Sequence, residues 1–409
     1  MSTAPDRARM SENETAFAIL KEFLQTLKIM SYAIFLSIWR FLISPPRKSV
    51  EGEIVLVTGA GSGIGQRISM EFAKLGAILV LWDIDEEKNK KTMELIRGHS
   101  EGVKCYPYRC DVGNREEVYQ TAKRVKGDVG DVGILVNNAG VVSGKKLIHT
   151  PDHLIQHTIN VNLMAHFWTV KCFLPTMLRK NHGHIVNISS STGLVGLNKL
   201  TDYSTSKFGV VGFTEVLTYE IFFSGNSGVH TTLVCPSFVK TGLFPGCKMR
   251  FPWLIPPLEI QPTVERIMQG ILTNQHVVCI PRLIYFFVFL KSILPVEAFH
   301  EVIRFSGAAT FMDNFKGGRS REIQNEANGS SSTNGTAETN CNHGNNSLLE
   351  PIQKQSSLNE NSDDIPEIDT HNSSCVNGHF DLSSVSDEAG ETKLLKRSRH
   401  DDNLSGAQE

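Results

Sequence analysis

The sequence predicts one α/β domain on a doubly wound, seven-stranded parallel sheet, preceded by an apolar segment and followed by a polar tail. Three observations carry that expectation. Short apolar runs alternate with longer amphipathic ones through the middle of the chain. A glycine-rich turn joins the first such run to the first helical pattern. Composition then shifts sharply at both ends, dividing the chain into residues 1–48, 49–316 and 317–409.

The first segment carries Leu20, Phe23, Leu24 and Leu27 at helical spacing, then runs almost wholly apolar from Ile29 to Trp39 before Arg40 and Pro45-Pro46. Its uncharged core, between Lys28 and Arg40, is shorter than the ~20 residues that cross a bilayer. Acidic Glu12, Glu14 and Glu22, and the poor cleavage site Ser44-Pro45-Pro46, argue against a removed signal. It reads as an uncleaved anchor, lying in the membrane interface or inserted as a hairpin, against the alternative of a core helix. A tilted span, with Lys28 and Arg40 snorkelling, is a further alternative, and if the segment does span, Arg40, Arg47 and Lys48 put its downstream flank in the cytosol.

The alternation then proceeds in order. Strands are expected at Ile54–Val57, Ala77–Trp82, Val103–Cys110, Ile134–Val136, His184–Ser190, Val229–Cys235 and Val277–Ile280. Helices are expected up to Leu75, from Arg115, over about Asp152–Lys180, over Tyr203–Phe222 and over Thr263–Thr273. A further apolar stretch, Leu283–Leu290, is either a buried helix or a second membrane-contacting, substrate-access helix. From Gly317 onward, large apolar residues are too sparse to offset chain entropy, so that tail is expected to be disordered. Its basic run Lys396-Arg397-Ser398-Arg399 is assigned no function.

Bulk properties exclude several classes. A net charge of -2 speaks against nucleic-acid partners. The 8 cysteines form no CxxC pair and have no histidine at ligand spacing, so no metal is expected. Cys105, Cys110, Cys172, Cys235 and Cys279 read as buried reduced thiols.

The turn Thr58-Gly-Ala-Gly-Ser-Gly-Ile-Gly65 lies between a strand and a helix, the context of a dinucleotide site of Rossmann type. Glycines let the backbone approach a pyrophosphate, and the helix N-terminus presents free N–H groups to its charge. Gly59, Ser62, Gly63, Ile64 and Gly65 are therefore cofactor candidates. Asp83, at the end of the second strand, is placed to accept hydrogen bonds from an adenosine ribose, and it also suits a helix N-cap. With a carboxylate there and no basic residue at Ala60 or Ser62, NAD(H) is expected over NADP(H).

Between roughly residues 50 and 300 stand Thr58-Gly-x3-Gly-x-Gly65, Asn137-Asn-Ala-Gly140, Asn162, Ser190 and Tyr203-Ser-Thr-Ser-Lys207, in that order. In these motifs the chain resembles the short-chain dehydrogenases/reductases. The resemblance implies a catalytic set of Asn162, Ser190, Tyr203 and Lys207. In it, Tyr203 exchanges the hydroxyl proton while hydride passes to the nicotinamide, Lys207 also holds the nicotinamide ribose, and Asn162 anchors a water. Chemistry supports the pairing: Tyr203 and Lys207, four apart, share a helix face, and an adjacent ammonium should lower a phenol from its usual ~10. Ser190 is placed to steady a developing oxyanion. The same resemblance assigns Asp111 and Val112 to the adenine, and Asn138, Ala139 and Gly140 to the cofactor. It assigns Pro236, Val239 and Thr241 to the nicotinamide side, and Asn137 to bracing the sheet. Ser237 departs from the family's usual glycine.

Within the family, Leu79–Ile84, Ala165-His-Phe-Trp168, His182-Gly-His-Ile185 and Pro236–Gly242 are similar to the epidermal retinol dehydrogenases and to 17β-hydroxysteroid dehydrogenases of endoplasmic reticulum and lipid droplets. That similarity implies a retinoid, steroid or fatty alcohol substrate, a membrane or lipid-droplet surface and a homodimer. The residues agree on an apolar ligand: Leu243, Phe244, Met249, Phe251, Trp253, Leu254 and Ile255 are expected to cap the site, opposite Leu194, Val195 and Leu197. The alternative is a lid packed on itself.

Overall fold

The computed structural model describes residues 4–317 except Ser44 and Leu254; the tail beyond Gly317 lies outside the described residues. Helix α1 (Ala4–Leu42) comes first, and Phe23, Leu24, Ile29, Phe35 and Trp39 on it are exposed. No helix among the described residues is long and apolar enough to cross a membrane.

Seven parallel strands follow: β1 (Ile54–Thr58), β2 (Ile78–Asp83), β3 (Cys105–Arg109), β4 (Ile134–Asn137), β5 (Gly183–Ile188), β6 (Val229–Pro236) and β7 (Val277–Ile280). Their order is β3-β2-β1-β4-β5-β6-β7, the doubly wound arrangement expected. Strands buried on both faces read as continuous apolar runs, and β1 shows why. Val55 and Val57 pack on one side with α2 (Gly63–Lys74), α3 (Glu86–His99) and α8 (Ile260–Leu272). Leu56 packs on the other with α4 (Arg115–Asp128), α6 (Ala165–Lys180) and α7 (Thr201–Phe223). Side-chain caps set two starts: Asp85 accepts from the Lys88 N–H, and Asn114 from the Glu117 N–H.

The long helix expected over Asp152–Lys180 is divided. Helix α5 (Asp152–Ile159) passes into a π turn at Asn160–Met164 before α6 resumes. After β7, the apolar stretch forms α9 (Leu283–Ile293), and α10 (Val296–Ser306), which periodicity did not predict, follows it. Cys105, Cys110, Cys235, Cys247 and Cys279 are buried free thiols, and Cys172 is half-buried.

The strand order reverses between β1 and β4, so the helices leaving their C-terminal ends diverge and open a crevice there.

Candidate active site

A cavity of about 500 Å³ occupies that crevice. At one end Gly59, Ser62, Gly63 and Ile64 line it. Gly59 (φ 66°) and Gly63 (φ 58°) adopt backbone angles that side chains disfavour. Ser62 makes no side-chain cap, so the first N–H groups of α2 stay free of one. Gly65 stands behind the wall, where a Cβ would collide with the Gly59 carbonyl oxygen and lie 2.5 Å from Asn138 Nδ2. The close approach therefore belongs to the protein's own backbone.

Asn138 ties the turn to β4: its N–H donates to Thr58 Oγ1 (2.9 Å), and its side-chain amide to the Thr58 carbonyl (2.9 Å). Asn137 braces the sheet instead, donating to Asn187 Oδ1 and accepting from Thr169 Oγ1. Asp83 is buried; its carboxylate accepts from the Gly61 N–H (2.8 Å) and the Asp85 N–H (3.0 Å). Asp111 and Val112 follow β3, Asp111 accepting from the Gly113 N–H (2.9 Å) and Val112 packing into the core. Neither of them, nor Asp83, Gly65 or Asn162, is on the cavity wall. Asn138, Ala139, Gly140, Pro236, Val239 and Thr241 are.

The centre of the cavity holds Ser190, Tyr203 and Lys207. Ser190 follows β5, where its hydroxyl accepts from the Thr192 N–H (3.1 Å) and neighbours the Tyr203 hydroxyl. Tyr203 and Lys207, on the first turns of α7, are both buried. Lys207 Nζ donates to the Ile188 carbonyl (2.9 Å) and lies 5.7 Å from the centre of the Tyr203 ring.

The electrostatics correct one expectation. Burial pushes the Tyr203 phenol up to about 12, with the neighbouring Ser190 hydroxyl opposing it, where the adjacent ammonium was expected to lower it. The physical reason is desolvation: the same burial lowers Lys207 to about 8, and its ammonium is turned to a backbone carbonyl. Asn162 sits in the π turn, fully buried. Its side chain accepts from the Val141 N–H (2.8 Å) and donates to the Val141 carbonyl (2.9 Å) and Ser206 Oγ (3.1 Å). It thus bolts the loop after β4 to α7, on the turn next to Tyr203.

The far end is apolar. Val195, Leu197, Leu243, Phe244, Met249 and Ile255 line it as expected. Phe244 stands edge-on to Tyr203, ring centres 5.6 Å apart. Three expected residues do not. Leu194 packs behind the wall against the cluster of Val210 and Leu233, Trp253 is 79% exposed, and Phe251 stacks on Phe305. Leu254 lies outside the described residues. The sequence reading missed Phe238 and Phe311, which join Phe244 in an aromatic cluster, and Ile284 and Phe287 of α9. The two α9 residues lay within a stretch already singled out as apolar; Phe311, past the last predicted element, carried no periodic signal.

Comparison with known proteins places this geometry. The short chain dehydrogenase family model matches residues 53–248. Retinol dehydrogenase 10 of Rattus norvegicus is 45% identical over 332 residues, covering 75% of this chain and 97% of that protein. The chain belongs to the short-chain dehydrogenase family. Epidermal retinol dehydrogenase 2 of Homo sapiens is 47% identical over 274 residues, covering 67% of this chain and 88% of that protein. A short-chain dehydrogenase/reductase of Burkholderia phymatum, solved in complex with NAD, superposes with a TM-score of 0.54 at 28% identity, covering 63% of this chain and 96% of that one. As a member of this family, the chain is an oxidoreductase acting on CH–OH groups.

Proposed function

We propose that this short-chain dehydrogenase oxidises a lipophilic alcohol to its carbonyl with NAD, and that all-trans-retinol is its foremost substrate. The observation carrying this is the meeting of Ser190, Tyr203 and Lys207 in one cavity whose far wall is aromatic and aliphatic. The names of its retinol dehydrogenase relatives, at about 45% identity, favour the retinoid.

The residues fit a nicotinamide dinucleotide. A cradle that side chains would obstruct runs from Gly59 to Gly63, and Lys207 stands beside Gly140 midway along the cavity. Gly59, Ser62, Gly63 and Ile64 would hold the pyrophosphate, and Pro236, Val239 and Thr241 the nicotinamide side. Asp83 favours a free ribose hydroxyl over a phosphate. When bound, the cofactor supplies the hydride acceptor.

The chain's own residues handle the proton. As Tyr203 Oη accepts the proton of the substrate hydroxyl, the phenol gives up its own towards Lys207 and solvent, and Ser190 Oγ steadies the oxygen as charge develops. Lys207, lowered to about 8, exchanges a proton readily near neutral pH. Asn162 keeps α7 in register with the cavity.

Exposed apolar side chains on α1 and on the outer side of α9 (Tyr285, Phe286 and Phe289) support residence on a membrane or lipid-droplet surface, with α1 lying in the interface. Exposed Phe167, Val216, Tyr219 and Phe222 on α6 and α7 support a homodimer.

The test is NADH formation by membranes containing the protein, with all-trans-retinol, a 17β-hydroxysteroid and a long-chain alcohol in parallel. Retinol turnover that falls 10²–10⁴-fold in Tyr203→Phe is the expected result. Turnover of the steroid or fatty alcohol alone would move the substrate. Silence on all three with dinucleotide still bound would point to a lipid-droplet scaffold with a vestigial site.

A further inference from the structure

One cationic side chain on the cavity wall has no part in the reaction outlined above. Lys88, on the first turn of α3, lines the cavity at its glycine end. Its position is fixed from two sides. Its N–H donates to Asp85 Oδ1 (3.0 Å), and a Cβ built on Gly61 would lie 3.1 Å from Lys88 Cβ and 2.8 Å from Asp83 Oδ2. Gly61, Asp83 and Lys88 therefore meet at one point, the end of β2 where an adenosine ribose would rest.

The Lys88 ammonium rests on Asp85 Oδ2 at 2.7 Å, with the two side chains 48% and 33% exposed. A pair that wet is weakly held, so the ammonium is free to move to a stronger anion. Asp83, by contrast, is buried and already accepts two backbone N–H groups, so it cannot swing away. This end of the cavity thus has one fixed carboxylate just behind the wall, whose charge disfavours a 2′-phosphate, and one movable ammonium on the wall that favours it.

We infer that Lys88 is a second determinant of cofactor choice, giving the site a measurable affinity for a 2′-phosphorylated dinucleotide that Asp83 alone would deny. Asp85 is its internal competitor. The inference rests on the reading of this cavity as a nicotinamide dinucleotide site.

The experiment is titration of the full-length protein in detergent with NADH and, separately, NADPH, followed by the fluorescence of the reduced nicotinamide. It compares the wild type with Lys88→Gln and Asp85→Asn. Asparagine keeps the helix cap while removing the charge that holds Lys88. A lost charge-assisted bond to phosphate should lower the NADPH-to-NADH affinity ratio about tenfold in Lys88→Gln. Asp85→Asn should raise that ratio several-fold, and added salt should erode both differences. An unchanged ratio in Lys88→Gln, or wild-type protein that binds NADH and no NADPH, overturns the role of Lys88 and leaves the dinucleotide site standing. Wild-type protein that binds neither overturns the site itself.

Discussion

The two halves of the cavity are made differently. The glycine end is made of backbone: Gly59 and Gly63 line it, Gly65 lets α2 close on the Gly59 carbonyl behind the wall, Asn138 ties the turn to β4, and the residues fall within short contiguous motifs. The far end is made of side chains drawn from four separate stretches: the loop after β5, the segment after β6, α9, and the turn after α10. A backbone site tolerates almost no added atom. A side-chain site gives way by degrees. On the proposed reading, the first would hold a ligand of fixed shape, whereas the second could be refitted to a retinoid, a steroid or a fatty chain without disturbing the chemistry between them.

The sharpest way to break this contrast is to add one carbon to the backbone half. Gly65→Ala places its methyl against the Gly59 carbonyl, and overpacking of that kind costs about 1–3 kcal/mol. Dinucleotide affinity should weaken roughly 10- to 100-fold in a fluorescence titration. Binding unchanged within error would mean that the turn is not rigid.

Lys207→Met probes the boundary between the halves. Turnover should vanish while stability rises, because burial holds the folded-state value near 8 against 10.5 unperturbed. The sign follows from proton counting: between those values the unfolded chain binds more protons, so wild-type stability rises with pH. Below pH 8 the penalty is present in full, about 3 kcal/mol, offset by the Ile188 hydrogen bond of about 1 kcal/mol. The variant should therefore gain ~2 kcal/mol at pH 7, and the gain should fade towards pH 10.5 in urea melts.

In the side-chain half the response should be graded. Phe311→Ala is expected to lower kcat/KM about tenfold for bulky apolar alcohols and to leave a short primary alcohol unaffected, since Phe311 stands one ring beyond Phe244, the side chain edge-on to Tyr203. Equal losses on both would assign Phe311 to the scaffold.

The last effect, confined to acid pH, lies outside both halves. His166 is buried on α6 and pushed down to about 3 by desolvation, so it stays neutral while the unfolded chain protonates below its ordinary 6.5. Stability therefore falls as pH drops through that window, by up to about 1.4 kcal/mol per pH unit for this one group. His166→Phe should flatten the acid limb of a pH–stability curve by that amount.

The same contrast explains what could be read from the sequence. The sheet was legible because buried parallel strands are uninterrupted apolar runs, and the glycine turn because its spacing is a backbone requirement. Ser190, Tyr203 and Lys207 were legible through the family resemblance, which places them at a strand end and a helix start, where the cavity brings the three together. Phe238 and Phe311 were not, because tertiary packing rather than local pattern brings them together. The Tyr203 shift was misjudged because sequence spacing gives a neighbour's charge but not its burial. Asp83 was placed correctly at the end of β2, yet the two N–H groups it accepts depend on how the glycine turn and the start of α3 close around it.

The π turn at Asn160–Met164 has a consequence for how this chain can vary. A π turn holds one residue more than the α-helix around it, and each residue advances a regular helix by about 100°. Deleting one residue of the turn other than Asn162 would restore a smooth helix. It would also rotate Asn162 away from Val141, or α6 away from the sheet, and one of the two must lose its partners. The extra residue thus behaves as a ratchet: once Asn162 was fastened on both sides, the shorter, smooth helix ceased to be reachable by a single step.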